Sequence, residues 1–110
     1  MHPRRGEVWW VSFDTAVGGE IQKTRPAVVI SNDAANTGLN RVVVVPITSN
    51  VTKLYPGEAR ILLNGEPRKT MSDQIMAVSK LRLGNRLGVL SRADMASVES
   101  AVLLHLAIKR

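Results

Sequence analysis

Short apolar runs alternate with turn signals about every ten residues along this chain, the pattern of a small sheet or barrel made of many short strands. Glu7-Val8-Trp9-Trp10-Val11-Ser12-Phe13 predicts a first strand, dense in β-branched and aromatic residues. Pro26 to Ser31 (PAVVIS) predicts a second. Between them lies Asp14 to Thr24 (DTAVGGEIQKT), a glycine-bearing loop too long for a tight hairpin and therefore a functional suspect. NDAANTGLN reads as a polar turn. Arg41 to Ile47 (RVVVVPI) is apolar almost throughout and predicts a central strand buried on both faces. Pro46, which has no N–H, predicts a break in the ladder there, at an edge or a bulge. Ala59 to Leu63, Gln74 to Val78 and Arg86 to Leu90 are the remaining strand candidates.

The pattern changes after Leu90. Ser91, with Asp94 three residues on, predicts an N-cap opening a helix that runs to about Ile108. Met95, Val98, Val102 and Leu106 form one apolar stripe at helical spacing, and Ala101, Leu104 and Ile108 a second on another side. One barrel does not easily cover both stripes. A subunit interface would account for the second economically, and an exposed chain end would do so nearly as well.

Composition narrows the picture. With 110 residues, 45% hydrophobic and 22% charged, the chain suits one folded domain over 1–110, without repeat or linker. There is no cysteine, and His2 and His105 stand at opposite ends of the chain, so neither a disulfide framework nor a metal or cofactor site is expected. Fifteen basic against nine acidic residues give +6, which favours a polyanionic partner. The first residues carry arginines but no apolar run of a secretory signal, and no segment is long enough to span a bilayer, so a cytoplasmic protein is expected.

Four segments in order carry a further signal: RRGEVWWVSFD at 4–14, GGEIQKTRPAVVISND at 18–33, VVVVPITSN at 42–50 and SDQIMAVSKLRLGNRLGVLS at 72–91. Together they resemble the MazF/PemK-like ribonuclease toxins of toxin–antitoxin modules, over nearly the whole chain. The resemblance implies an SH3-like small β-barrel with a C-terminal helix, and a homodimer with single-stranded RNA lying across the subunit interface. It also implies sequence-specific RNA cleavage without a metal, and a cognate MazE-like antitoxin with which such toxins bind DNA. CcdB-like relatives share the barrel but inhibit DNA gyrase, so the fold alone does not decide the activity. A barrel that binds RNA without cutting is the remaining alternative.

Cleavage by the substrate's own 2′-hydroxyl requires loss of that proton, stabilisation of charge at phosphorus and protonation of the leaving 5′-oxygen. Arg25, in KTRPAV, matches the family's catalytic arginine. Its planar fork fits two phosphate oxygens, and its high pKa suits it to clamp charge rather than to remove a proton. Without the motif, a salt bridge to Glu7 or Asp73 is the plainer reading. Thr48, in PITSN, matches the second catalytic position and has a hydroxyl to donate. Asp73, in MSDQI, matches an acidic position that accepts the proton or holds the arginine in part of the family, or is simply a strand-end carboxylate. Met71 stands where one branch has an arginine, and the first loop has no histidine; both departures shift weight to Arg25 and Thr48.

RNA contacts are expected from Glu20 and Gln22 to base edges and from Lys23 and Arg5 to phosphates. Asn32 and Asn36 match family positions near RNA, although both residues are also ordinary in turns. Ser49 and Gln74 adjoin the catalytic positions. Trp9 and Trp10 point to opposite faces of one strand, so at least one packs in the core, which leaves Tyr55 as the favoured exposed stacking platform. His105 is expected to be packed or at an interface, and neither histidine is assigned chemistry.

Overall fold

The computed structural model describes residues 2–13 and 23–109. The strands are β1 Glu7–Phe13, β2 Lys23–Val29, β3 Arg41–Thr48, β4 Glu58–Leu63, β5 Glu66–Met71, β6 Met76–Ser79 and β7 Leu83–Val89. Helix α1 spans Asp33–Gly38 and α2 spans Arg92–His105. All the pairings are antiparallel, in the order β4-β5-β3-β2-β1-β7, with β6 paired to β3 off that path. The fold is mainly β with a C-terminal helix, as the pattern predicts.

The hydrogen-bonded path is open rather than closed into a full barrel. Its two end strands meet through a side chain, as Asn64 Nδ2 donates to Leu87 O at 2.9 Å. Gly88 permits that approach, because a Cβ there would stand 2.8 Å from Asn64 Oδ1. The outer edge of β4 is also covered: Leu62 N donates to the Asp94 carboxylate in the first turn of α2, at 3.0 Å. An exposed row of strand N–H groups would otherwise invite pairing with another chain.

The continuous apolar run of β3 is explained by two cores. Val45 and Ile47 join Val8, Val28, Ile61 and the α2 residues Val98, Ala101 and Val102. Val42 and Val44 join Trp9, Val11, Phe13, Ala27 and Val29 on the opposite face. Each fully buried valine contributes on the order of 1.5–3 kcal/mol, so the run VVVV stabilises two layers at once.

Pro46 sits at a break on one edge only. On that edge β3 pairs with β6 through Val44 and with β5 from Ile47 onward. Asn40 O accepts from Lys80 on this side, and Val43 O accepts from Ile30 on the β2 side. By alternation, Pro46 therefore turns its missing N–H into the gap between β6 and β5.

Several boundaries differ from those predicted. The polar turn contains α1, because Asn32 accepts from Ala35 N at 2.8 Å and caps it. Glu66–Met71 (EPRKTM) is a strand although it has no apolar alternation. Gln74 lies in a 3₁₀ turn, Ser72–Gln74, and β6 begins only at Met76. Ser91 caps α2 as expected, accepting from Asp94 N at 3.0 Å. The helix ends at His105 rather than near Ile108, because Ala107 adopts φ 58 and Ile108 N bonds back to Leu103 O at 2.9 Å.

Candidate functional site

The β2–β3 hairpin brings Arg25 and Thr48 together. Its recorded pairs are Val29–Val44, Val28–Val45 and Ala27–Pro46. Carrying the same register two residues further puts Arg25 directly opposite Thr48. Ile30 N donates to Val43 O at 2.9 Å, so this pair is a bonded rung. Rungs recur at every second residue, making Val28–Val45 the next and Pro26–Ile47 the one after. Pro26 has no N–H to give. The rung therefore lacks the bond that residue 26 would donate, the β2–β3 pairing ends at Ala27–Pro46, and a cleft of about 230 Å³ lies at these strand ends.

Trp10, Arg25, Pro26, Ile47, Thr48, Ser49 and Arg68 line this cleft. Arg25 and Thr48 belong to a non-bonded position of the register, where facing side chains lie closest. Thr48 Oγ1 accepts from Asn50 N at 3.2 Å, which leaves its hydrogen to donate outward. The alternative ion pairs for Arg25 do not form: Glu7 binds Arg86 at 3.0 Å, and Asp73 accepts from Gln74 Nε2 at 3.4 Å. Two arginines and Thr48, whose hydroxyl keeps its hydrogen to donate, therefore line the cleft, and no acidic residue among the described residues does.

Trp10 and Arg68 are additions to the predicted set. Trp9 is buried, whereas Trp10, paired with Pro26, is 38% exposed and forms one wall. The period-two pattern of β1 indicates that one tryptophan faces out, and the β1–β2 register shows which. Arg68 lies on the unpredicted strand β5, and its guanidinium also donates to Pro67 O at 2.6 Å.

Other predicted residues lie elsewhere. Asp73 and Gln74 sit in the 3₁₀ turn and do not line the cleft. Asn32 is engaged as the α1 cap. Asn36 is 1% exposed; its amide donates to Ser31 O at 2.9 Å and to Asp33 Oδ1 at 3.1 Å, and its carbonyl accepts from Ser31 Oγ. The Arg5 guanidinium pairs with Glu99 at 3.0 Å. Tyr55 is exposed but lines a neighbouring recess rather than the cleft. Lys23 opens β2 with φ 69, a left-handed backbone that costs a residue of this type about 1–3 kcal/mol, two positions before Arg25. Glu20 and Gln22 lie outside the described residues. No helix of the described residues is long and apolar enough to cross a membrane.

Comparison with known proteins bears on the family and the fold. A family model described as a PemK-like, MazF-like toxin of type II toxin-antitoxin systems matches residues 4–106. Endoribonuclease MazF9 of Mycobacterium tuberculosis is 40% identical over 114 aligned positions, covering 94% of this chain and 95% of that protein. The crystal structure of MazF (Form-I) from Deinococcus radiodurans superposes with a TM-score of 0.86 at 24% identity, covering 98% of this chain and 99% of that one. An endoribonuclease bound to its cognate antitoxin from a mycobacterial species gives 0.80 at 25% identity, covering 98% of each chain. The family match over nearly the whole chain and the 40% identity to a full-length relative agree: the chain belongs to the PemK-like, MazF-like toxins of type II toxin–antitoxin systems.

Proposed function

We propose that this chain is a sequence-specific endoribonuclease toxin that cuts single-stranded RNA by attack of the 2′-oxygen on the adjacent phosphorus. The observation that carries this reading is that Arg25 and Thr48, facing each other at the ends of β2 and β3, line one cleft. The 2′-hydroxyl gives its proton to solvent water and its oxygen bonds to phosphorus, while the bond to the 5′-oxygen breaks and that oxygen takes up a proton. The immediate products are a 2′,3′-cyclic phosphate and a 5′-hydroxyl. DNA has no 2′-hydroxyl to attack, so the preference for RNA is inherent in the step.

Arg25 spans two non-bridging oxygens and stabilises the charge that builds on them, while Thr48 donates a further hydrogen bond. Removing one such donor typically costs about 10²–10³ in rate. Arg25, a fork of donors with no acceptor, clamps charge and donates toward the leaving oxygen rather than acting as the base. Arg68 adds positive charge at the same cleft, and Trp10 offers a flat face for a base beside the phosphate. Asp73, outside the cleft, is given no proton transfer. With guanidinium groups rather than carboxylates as neighbours, the cleft repels a divalent cation, so the reaction is assigned as metal-independent.

The same reading makes the working form a homodimer neutralised by a MazE-like antitoxin, in the cytoplasm. The exposed Leu104, Leu106 and Ile108 at the end of α2 supply apolar surface for such contacts. The test is a long single-stranded RNA incubated with the protein in excess EDTA. Defined fragments are expected from the wild type. Arg25→Ala is expected to leave the RNA intact with an unchanged melting temperature. Activity abolished by EDTA, or retained in Arg25→Ala, would count against this assignment.

A further inference from the structure

We propose that the recess next to the cleft is a subsite for one nucleobase beside the cut, selecting a base that presents carbonyl oxygens; this rests on the cleft being an RNA-cleaving site. The recess has a volume of about 290 Å³ and is lined by Asn50, Thr52, Lys53, Tyr55 and Lys69. Register ties it to the cleft. Thr48 pairs with Lys69 across β3 and β5, and directly opposed residues share a face. On one face, Arg25, Thr48 and Lys69 therefore form a row over three strands, each about 4.8 Å from the next. The recess begins at the end of that row, within a nucleotide's reach of the phosphate held by Arg25.

Lys69 acts as an anchor rather than as a phosphate clamp. It is 6% exposed, and its Nζ donates to Glu58 Oε1 at 2.9 Å and to Lys53 O at 2.7 Å. Glu58 Oε1 also accepts from Tyr55 N at 2.8 Å, and the ammonium stands 5.4 Å from the centre of the Tyr55 ring. Burying an ammonium is costly unless it is paired and hydrogen-bonded, as it is here. The result is to fix the loop from Lys53 to Glu58. That loop offers an aromatic ring held in place by backbone and cation contacts yet 56% exposed. A ring fixed in advance stacks a base with little ordering cost.

The polar rim sets the choice of base. Asn50 Oδ1 accepts from Thr52 N at 3.3 Å, which orients the amide so that Nδ2 faces away, with no partner among the described residues. The exposed Lys53 stands beside it. The two groups at this rim that can only donate are the Asn50 amide nitrogen and the Lys53 ammonium. They match the carbonyl oxygens of uracil, or O6 and N7 of guanine, whereas the corresponding edges of adenine and cytosine set an amino donor against them.

The experiment maps cut sites and kinetics on a pool of single-stranded RNAs randomised around the cleavage sequence. Wild-type protein is expected to prefer uracil or guanine at one position adjoining the cut. Tyr55→Ala is expected to flatten preference at that position alone and to raise KM about 5- to 150-fold, the range for losing one base–aromatic stack, with the loss falling on KM rather than kcat. Tyr55→Phe, which keeps the ring, recovers most of that loss. Asn50→Asp, which replaces the donor with an acceptor, shifts the preference away from uracil and guanine. An intact pool with wild-type protein would remove the cleavage assignment and the subsite together. A pool cut by wild type and Tyr55→Ala with the same preferences and KM would remove the subsite alone.

Discussion

In a complete β2–β3 ladder, residue 26 would also donate to Ile47 O, next to Arg25 and Thr48. Pro26 cannot make that bond, and the cleft lies at this half-made rung. Pro26→Val restores the donor. The new rung is worth about 0.5–1.5 kcal/mol, against about 0.4–1 kcal/mol lost when the unfolded chain regains the freedom that proline denied it. The two nearly cancel, so the melting temperature should hardly move. Cleavage should fall on the order of 10- to 100-fold as the fork and the hydroxyl are drawn out of position. Melting and initial cleavage rates measured side by side check this; wild-type rates in Pro26→Val would refute the role given to the proline. Arg25 and Thr48 were legible in sequence through their motifs. Trp10 was legible only as one of two neighbouring tryptophans, because alternation separates faces without saying which face opens onto a site.

At the scale of elements, what escaped prediction follows from chemistry that hydropathy does not register. Strand β5 carries proline, arginine and lysine, and it forms because β4 and β3 flank it on either side. The signal available for it was the turn: Asn64 and Gly65 adopt φ 51 and φ 82, the paired left-handed residues of a two-residue hairpin. Without that strand, Arg68 and Lys69 could not be placed near Thr48. Helix α1 is short and polar, and it is defined by its cap and by Asn36, which ties it to Ser31.

The N-terminal segment is fastened to α1 through Asp33, whose carboxylate accepts from Arg5 N at 2.8 Å. That hydrogen bond, with a second from Asn36 and the nearby charges of Arg4 and Arg5, holds the Asp33 pKa below the usual aspartate value. A carboxyl depressed on folding stabilises the fold at pH above its unfolded value and loses that contribution as pH falls through its folded value. Asp33→Asn should therefore melt lower than wild type near neutral pH. The difference should be modest and salt-sensitive because the group is exposed, and it should shrink as pH falls below the ordinary aspartate range. A gap that stayed constant with pH would contradict this.

At the scale of the whole molecule, the chain carries +6 and ends in a helix with apolar residues facing outward, Leu104 being 64% exposed. The second apolar stripe was visible in the sequence; Ala101 packs into the core, but what covers Leu104 and Ile108 depends on a second surface that one chain does not encode by periodicity. On the homodimer reading, wild type should sediment at twice the chain mass and Leu104→Glu with Ile108→Glu at the mass of one chain. A paired mass retained by the double substitution would place the contact elsewhere.

The activity itself depends on one guanidinium and one hydroxyl acting on the same phosphate in the same step. The most direct measurement is a double-mutant cycle of kcat/KM at one mapped cut, using wild type, Arg25→Ala, Thr48→Val and the double variant. Groups that act as a unit are non-additive, so the double variant should be no slower than the worse single variant by more than a small factor. A loss equal to the product of the two single losses would show that Arg25 and Thr48 act independently, and it would contradict the account.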